Sequence, residues 1–208
     1  MTWAKAGFHI LLSGLGAAAM AQDVVKLGIA APMTGPIAHL GKDVDQGARL
    51  AIDEINQRGL AINGKPVKLE AVVEDDRGDP AAATAVANTL ADRKVNGVIG
   101  HLNSGPTIAA ARVYNDAGIP QVAPAATNPK YTQAGYKYAV RLMATDVQQG
   151  AGIAGFLASK LSAKKVAVID DRTAYGQGLA DEVASTLAKA RVQVLPREFT
   201  TDKATDFT

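Results

Sequence analysis

Residues 95–128 repeat one pattern twice: a short apolar run, then a loop of small and hydroxyl-bearing residues where a helix can begin. The first run, 95–100, ends in His101-Leu102-Asn103-Ser104-Gly105-Pro106-Thr107. Ser104 is placed to cap the next helix over 104–117, with Pro106 in its first turn and Gly118 as its stop. The second run, 120–123, ends in Pro124-Ala125-Ala126-Thr127. Strand, helix and strand in close succession demand a parallel pair with a crossover. In such sheets ligands bind beyond the carboxyl ends of the strands. Small residues there let a ligand reach the backbone, and free N–H groups at a helix start favour an anion. With the hydroxyls of Ser104 and Thr127 added, the stretch reads as a small-molecule site that grips a carboxylate.

The same alternation runs along the whole chain. Residues 24–30 read as a buried first strand, followed by a Pro/Gly loop at 31–36. A helix over 41–58 carries Val44, Ala48, Ala51, Ile52 and Ile55 on one face. Asn63-Gly64 joins two short strands, the second at 67–73, as a hairpin. The acidic run 74–80 offers either a divalent-metal site or a strand end with Asp79 as N-cap and Pro80 at N1; the cap is favoured because metal-ligand spacing is absent. Ala83, Val86, Ala87 and Leu90 mark one face of the next helix.

Residues 136–143 form another strand-like run, and a new unit begins after it. A helix over 147–161 places Ile153, Phe156, Leu157 and Leu161 on one side. A strand at 165–169 leads into Asp170-Asp171-Arg172, a helix over 178–190 carries Leu179, Val183 and Leu187, and 192–199 is the last strand. A lobe boundary is therefore expected at 143–146, dividing the chain into 22–143 and 144–208. Thr205-Asp206 looks like the cap of a further helix, so the chain looks cut short.

Residues 1–21 have the form of a secretory leader: Lys5 near the start, an apolar run over 6–18, and Ala19-Met20-Ala21 as a small-x-small cleavage site. The run is too short to span a bilayer. Cleavage after Ala21 would release a chain beginning at Gln22. The chain has no cysteine, so it can form no disulfide and carry no lipid on one, and periplasmic is the simplest address.

Formal net charge is +2, too near balance for a nucleic-acid binder. Of the three histidines, His9 lies in the leader, and His39 and His101 lie in loops without zinc-ligand spacing. No dinucleotide or phosphate-loop motif occurs, and no cofactor is implied. Ser104 stands outside a nucleophile elbow, so a serine hydrolase would need a distant His and Asp to converge on it. Asp170-Asp171 could pair on a metal, but loop solvation is the commoner fate.

Several motifs carry a family resemblance. They are Pro-Met-Thr-Gly-Pro at 32–36, Ala-Ile-Asp-Glu-Ile-Asn at 51–56, Asp-Asp-x-x-Asp-Pro at 75–80, Val-Ile-Gly-His-Leu-Asn-Ser at 98–104, Pro-Ala-Ala-Thr at 124–127 and Tyr-Gly-Gln-Gly-Leu-Ala at 175–180. In this order they resemble the periplasmic leucine/isoleucine/valine-binding proteins, type I solute-binding proteins of ABC importers. The resemblance implies an α/β fold of two Rossmann-like lobes, the second incomplete here, and a monomer that hands an amino acid to a membrane permease. It implies that Ser104 and Thr127 hold the α-carboxylate, that the Ala125 carbonyl takes the α-ammonium, and that Leu102, Asn103 and Ala126 belong to the same site. Asp146 matches a residue at the first lobe crossing, and Tyr175 one that closes over the ligand.

Three departures stand out. Some relatives pair cysteines at the positions of Gly78 and Asn103. Leu40 replaces a tyrosine that covers the ligand side chain. The chain covers little more than half of the family's length, lacking the acidic partner of the ammonium and the segment that returns to the first lobe. A receptor for amides or urea, or a sensor, shares the same architecture.

Overall fold

The computed structural model describes residues 22–201 and 204–206; the expected leader and its cleavage site lie outside them. A six-stranded sheet, in the order β2-β3-β1-β4-β5-β6, occupies the first two thirds of the chain. Its strands are β1 (Asp23–Ala31), β2 (Leu60–Ile62), β3 (Lys65–Asp75), β4 (Gly97–Gly100), β5 (Gln121–Ala123) and β6 (Ala139–Arg141). Only β2 runs antiparallel, paired with β3 through the expected hairpin. Asn63 and Gly64 take φ of 51° and 76° there, the positive pair that a two-residue hairpin turn demands.

Successive residues of a strand point to opposite faces, and β1 shows the consequence. Ile29 packs with Leu69 against Ala48 and Ile52 of α1 (Ala38–Arg58). Ala30, one residue on, packs against Ala83, Ala87 and Leu90 of α2 (Pro80–Asp92) and Tyr114 of α3 (Ser104–Asp116). Helices thus cover both faces of the parallel core, as such sheets require. Asp79 caps α2 by accepting from Ala82 N at 2.8 Å, with Pro80 at the first helical position, as expected.

One cap differs from expectation. The N-cap of α3 is Asn103, which makes no side-chain cap bond, and Ser104 is the first helical residue. Its hydroxyl instead accepts from Asn128 N at 3.3 Å, tying α3 to the loop after β5. A short helix, α4 (Lys130–Gln133), follows that loop.

Beyond β6 the sequence reading needs more correction. Helix α5 (Asp146–Gly155) opens on a capping box made by Thr145 and Gln148, then widens into a π-helical turn over Phe156–Lys160. The side that carries most of its large apolar residues is largely out: Ile153, Phe156 and Leu161 are exposed. Gly150 and Ala154 are buried instead. A side chain on Gly150 would stand 2.7 Å from Glu182 Cβ, so small residues let α5 lie close on α6 (Ala174–Lys189). Helix α6 begins four residues before its expected start because Thr173 caps it, accepting from Gly176 N at 2.9 Å.

Each expected long strand of this segment is broken in two. β7 (Lys165–Val166) pairs with β9 (Gln193–Val194), and β8 (Ile169–Asp170) with β10 (Glu198–Phe199), all parallel. Pro196, lacking an N–H, stands between β9 and β10. Ala154, Val168, Ala180, Val183, Leu187 and Val192 form the core of this segment. Residues 204–206 adopt no regular structure.

Candidate functional site

Disregarding β2, the strand order is that of a doubly wound sheet, and its ligand crevice is expected where the connections from β1 and β4 diverge. Beyond the carboxyl ends of β4, β5 and β6 lies a cavity of about 510 Å³. Leu102, Asn103 and Ser104 reach it from the end of β4, and Ala125 and Thr127 from the end of β5. Met143 and Ala144 follow β6, while Gln148, Gln149 and Tyr175 approach from the first turns of α5 and α6.

The β4 end is shaped by close backbone contact. Gly100 has φ of 144°, and a Cβ there would stand 2.2 Å from the Ala30 carbonyl oxygen, so only glycine fits. His101 follows through a cis peptide and is completely buried. Its Nδ1 lies 2.6 Å from Asp76 Oδ2 and its Nε2 3.2 Å from the Tyr114 hydroxyl. Thr107 Oγ1 donates to the His101 and Asn103 carbonyls at 3.0 and 2.8 Å. Burial, reinforced by the Asp76 charge, pushes the Tyr114 phenol far above its usual range. The loop bearing Leu102, Asn103 and Ser104 is therefore clamped from behind by a polar cluster that sequence reading left as a loop histidine.

Nearer the ligand space, Thr127 Oγ1 and Asn103 Oδ1 are buried without a hydrogen-bond partner among the described residues. Orphaned polar atoms of this kind are rare and mark places where a ligand or water belongs. Asn103 Oδ1 lies 3.6 Å from where a Cβ on Gly78 would stand, so these two positions face each other.

Two of the expected site residues lie elsewhere. Ala126 is buried with Ala111, Ala123 and Tyr131, where its size suits the packing. Asp146 is fully buried behind the wall; its N–H donates to the Thr127 carbonyl at 3.0 Å. Both carboxylate oxygens lack a hydrogen-bond partner, and a side chain on Gly178 would stand 2.9 Å from Oδ2. Burial pushes this carboxyl up, against the opposing pull of the Arg141 charge and of the Thr127 hydroxyl, which is close enough to favour the charged form but stands outside hydrogen-bond geometry. Sequence reading missed Met143, Ala144, Gln148 and Gln149. The Gln pair falls in the first turn of the expected helix, but periodicity alone does not show what that face meets. Leu40 is exposed and is not among the cavity residues.

The acidic run contains no metal centre. Glu74 pairs with Arg93, Asp75 accepts from Met33 N and Thr34, Asp76 engages His101, and Asp79 caps its helix. Among the described residues no cluster of His, Asp or Glu could hold a metal ion. A hydrolytic triad around Ser104 also fails to form, since His101 is committed to Asp76 and Tyr114. No helix among the described residues is long and apolar enough to cross a membrane.

A mostly parallel sheet with helices on both faces and a cavity at its carboxyl edge defines an α/β protein of the doubly wound kind. The chain belongs to the periplasmic binding protein family, whose model matches residues 24–208. It is 38% identical over 183 residues to the leucine-, isoleucine-, valine-, threonine- and alanine-binding protein of Pseudomonas aeruginosa, covering 88% of this chain and 48% of that protein. Among solved structures it is similar to a leucine-binding protein of Thermotoga maritima, with a TM-score of 0.79 and 31% identity over 88% of this chain and 51% of that one. A branched-chain amino acid substrate-binding protein of Streptococcus pneumoniae, in complex with isoleucine, superposes with a TM-score of 0.76 and 31% identity, over 89% and 52% of the two chains. The chain spans about half the length of the curated relatives it matches. A periplasmic location is consistent with the family.

Proposed function

We propose that this chain is a non-catalytic receptor that binds a branched-chain aliphatic amino acid and serves a membrane permease of an ABC importer. The observation that carries this reading is the pairing of two hydroxyls, Ser104 and Thr127, with the first turn of α3 on one wall of the cavity. A zwitterion leaving water needs donors at one end and acceptors at the other. The hydroxyls and the free N–H groups of α3 suit the carboxylate, and the Ala125 carbonyl suits the ammonium. Leu102, Met143 and Ala144 offer apolar contact for the side chain. Asn103 lines the same wall, Tyr175 covers it from α6, and Asp146 and Ala126 support it from behind.

Residues 22–143 form the first lobe and 144–208 the beginning of a second, which closes by hinge motion on the ligand and presents the closed form to the permease. The receptor works as a monomer in the periplasm after its leader is cleaved behind Ala21. A second reading, an amide- or urea-type solute, draws support from the side-chain amides of Asn103, Gln148 and Gln149 around the cavity.

Calorimetric titration of the purified chain with L-leucine tests the proposal, with acetamide and urea as competing ligands. Saturable heat with leucine is expected. Ser104→Ala should weaken it about 10- to 100-fold, the worth of a hydrogen bond to a charged group. Heat with urea or acetamide and none with leucine would replace the amino-acid reading by the second one.

A further inference from the structure

Tyr175 is the second residue of α6 and is 39% exposed, so packing covers only part of its ring. An exposed aromatic side chain changes rotamer within nanoseconds unless something restrains it. Gln149 supplies a restraint: its Nε2 donates to the Tyr175 hydroxyl at 3.2 Å. The neighbouring Gln148 is fixed differently, its Oε1 accepting from Thr145 N at 2.7 Å and from Thr145 Oγ1 at 3.0 Å. The two helices are held at close range by Gly150, where any side chain would collide with Glu182. The reach from α5 to α6 is therefore set by backbone packing, and the glutamine amide spans it. Because the phenol oxygen accepts from Gln149, its own proton is left to donate into the cavity.

We propose that Gln149 is a positioning residue for ligand binding, holding the Tyr175 ring as the α6 wall of the cavity. This rests on the amino-acid reading above and adds a residue that the family resemblance did not supply. Without the amide the ring turns out to solvent, and bound ligand loses one wall and one donor. A ring already held in place loses no rotamer freedom on binding, so the amide contributes to affinity beyond any contact of its own with the ligand.

The test is titration of the full chain with L-leucine for the parent, Gln149→Leu, Tyr175→Phe, the double variant and Gln149→Glu. Gln149→Leu and Tyr175→Phe should each weaken binding about three- to tenfold, the worth of one hydrogen bond. The double variant should be no weaker than either single one, since both remove the same bond. Gln149→Glu should recover only part of the loss, because its carboxylate accepts from the Tyr175 hydroxyl and holds the ring but takes the proton that would donate into the cavity. Melting temperatures should match the parent throughout. Parental affinity in Gln149→Leu, or additive losses in the double variant, would overturn the inference alone. A parent that gives no heat with leucine would overturn the amino-acid reading and this inference with it.

Discussion

The tripeptide Asp-Asp-Arg occurs twice at a strand end, as Asp75-Asp76-Arg77 after β3 and as Asp170-Asp171-Arg172 after β8. The backbone treats the two alike. Arg77 N donates to Asp75 Oδ1 at 2.9 Å and Arg172 N to Asp170 Oδ1 at 2.8 Å. Gly78 N donates to Asp76 Oδ1 and Thr173 N to Asp171 Oδ1, at 2.8 and 2.9 Å. Both arginines sit at positive φ, 55° and 63°, and a capped helix follows each turn. These are turns in which aspartate side chains stand in for the next backbone acceptor.

Their surroundings differ. In the first turn Asp75 holds the loop after β1 through Met33 N and Thr34, while Asp76 holds the loop after β4 through buried His101. Three strand ends are thus joined behind the cavity. In the second turn Asp170 meets Arg197, which also reaches Asp181, and Asp171 bonds only its own neighbour Thr173. Arg172 stacks on Phe199 with its guanidinium carbon 3.5 Å from the ring centroid. Identical local chemistry therefore makes a rigid anchor in one place and a partly solvated ion pair in the other.

The comparison breaks first on the buried contacts. His101→Leu leaves Asp76 enclosed without its partner and should cost about 3 kcal/mol or more in urea unfolding. Arg197→Leu removes a partner that is itself 31% exposed and should cost only about 1 kcal/mol. Equal losses would mean that the two turns are anchored alike.

Acid sharpens the difference at the second turn. Burial works to raise the Asp170 carboxyl, but the Arg172 N–H and the Arg197 guanidinium outweigh it and hold it below the usual range. A lowered folded value means that the native state binds this proton less readily than the unfolded chain. The stabilisation is present above the usual carboxylate value and is lost as pH falls through the lowered one. The urea midpoint of Asp170→Asn should therefore fall less than the parent's between about pH 5 and about pH 3. Parallel acid profiles would break the assignment.

The smallest effect concerns the backbone itself. Glycine at a left-handed position relieves strain, so Arg77→Gly should gain a few tenths to about 1 kcal/mol in thermal unfolding. Arg172→Gly gains the same relief but gives up the stacking on Phe199, and should come out near zero. A clear gain at both sites would show that the stacking contributes nothing.

How much was legible follows the same division. The Asp79 cap, the Asn63-Gly64 turn and the alternation around β1 were readable because each depends on residues adjacent in the chain. The packed face of α5 was not legible, because most of its apolar residues recur at helical spacing on a side that is exposed. Only the approach of α6 selects Gly150 and Ala154 as the packed face. Four walls of the cavity, Met143, Ala144, Gln148 and Gln149, escaped notice for a related reason. Nothing in their spacing says that the start of α5 faces the ends of β4 and β5.

By itself the sequence determined the α/β alternation, the turns and caps, and the placing of Ser104, Ala125 and Thr127 at strand ends. Local hydrogen bonding and side-chain periodicity act over a few residues and leave their mark in the residue order. Tertiary structure alone decided that His101 is buried on Asp76, that Asp146 stands behind the wall, and that Gln149 reaches Tyr175. Those facts depend on which distant surfaces meet, and a residue's burial is a property of the assembled fold rather than of its neighbours in the chain.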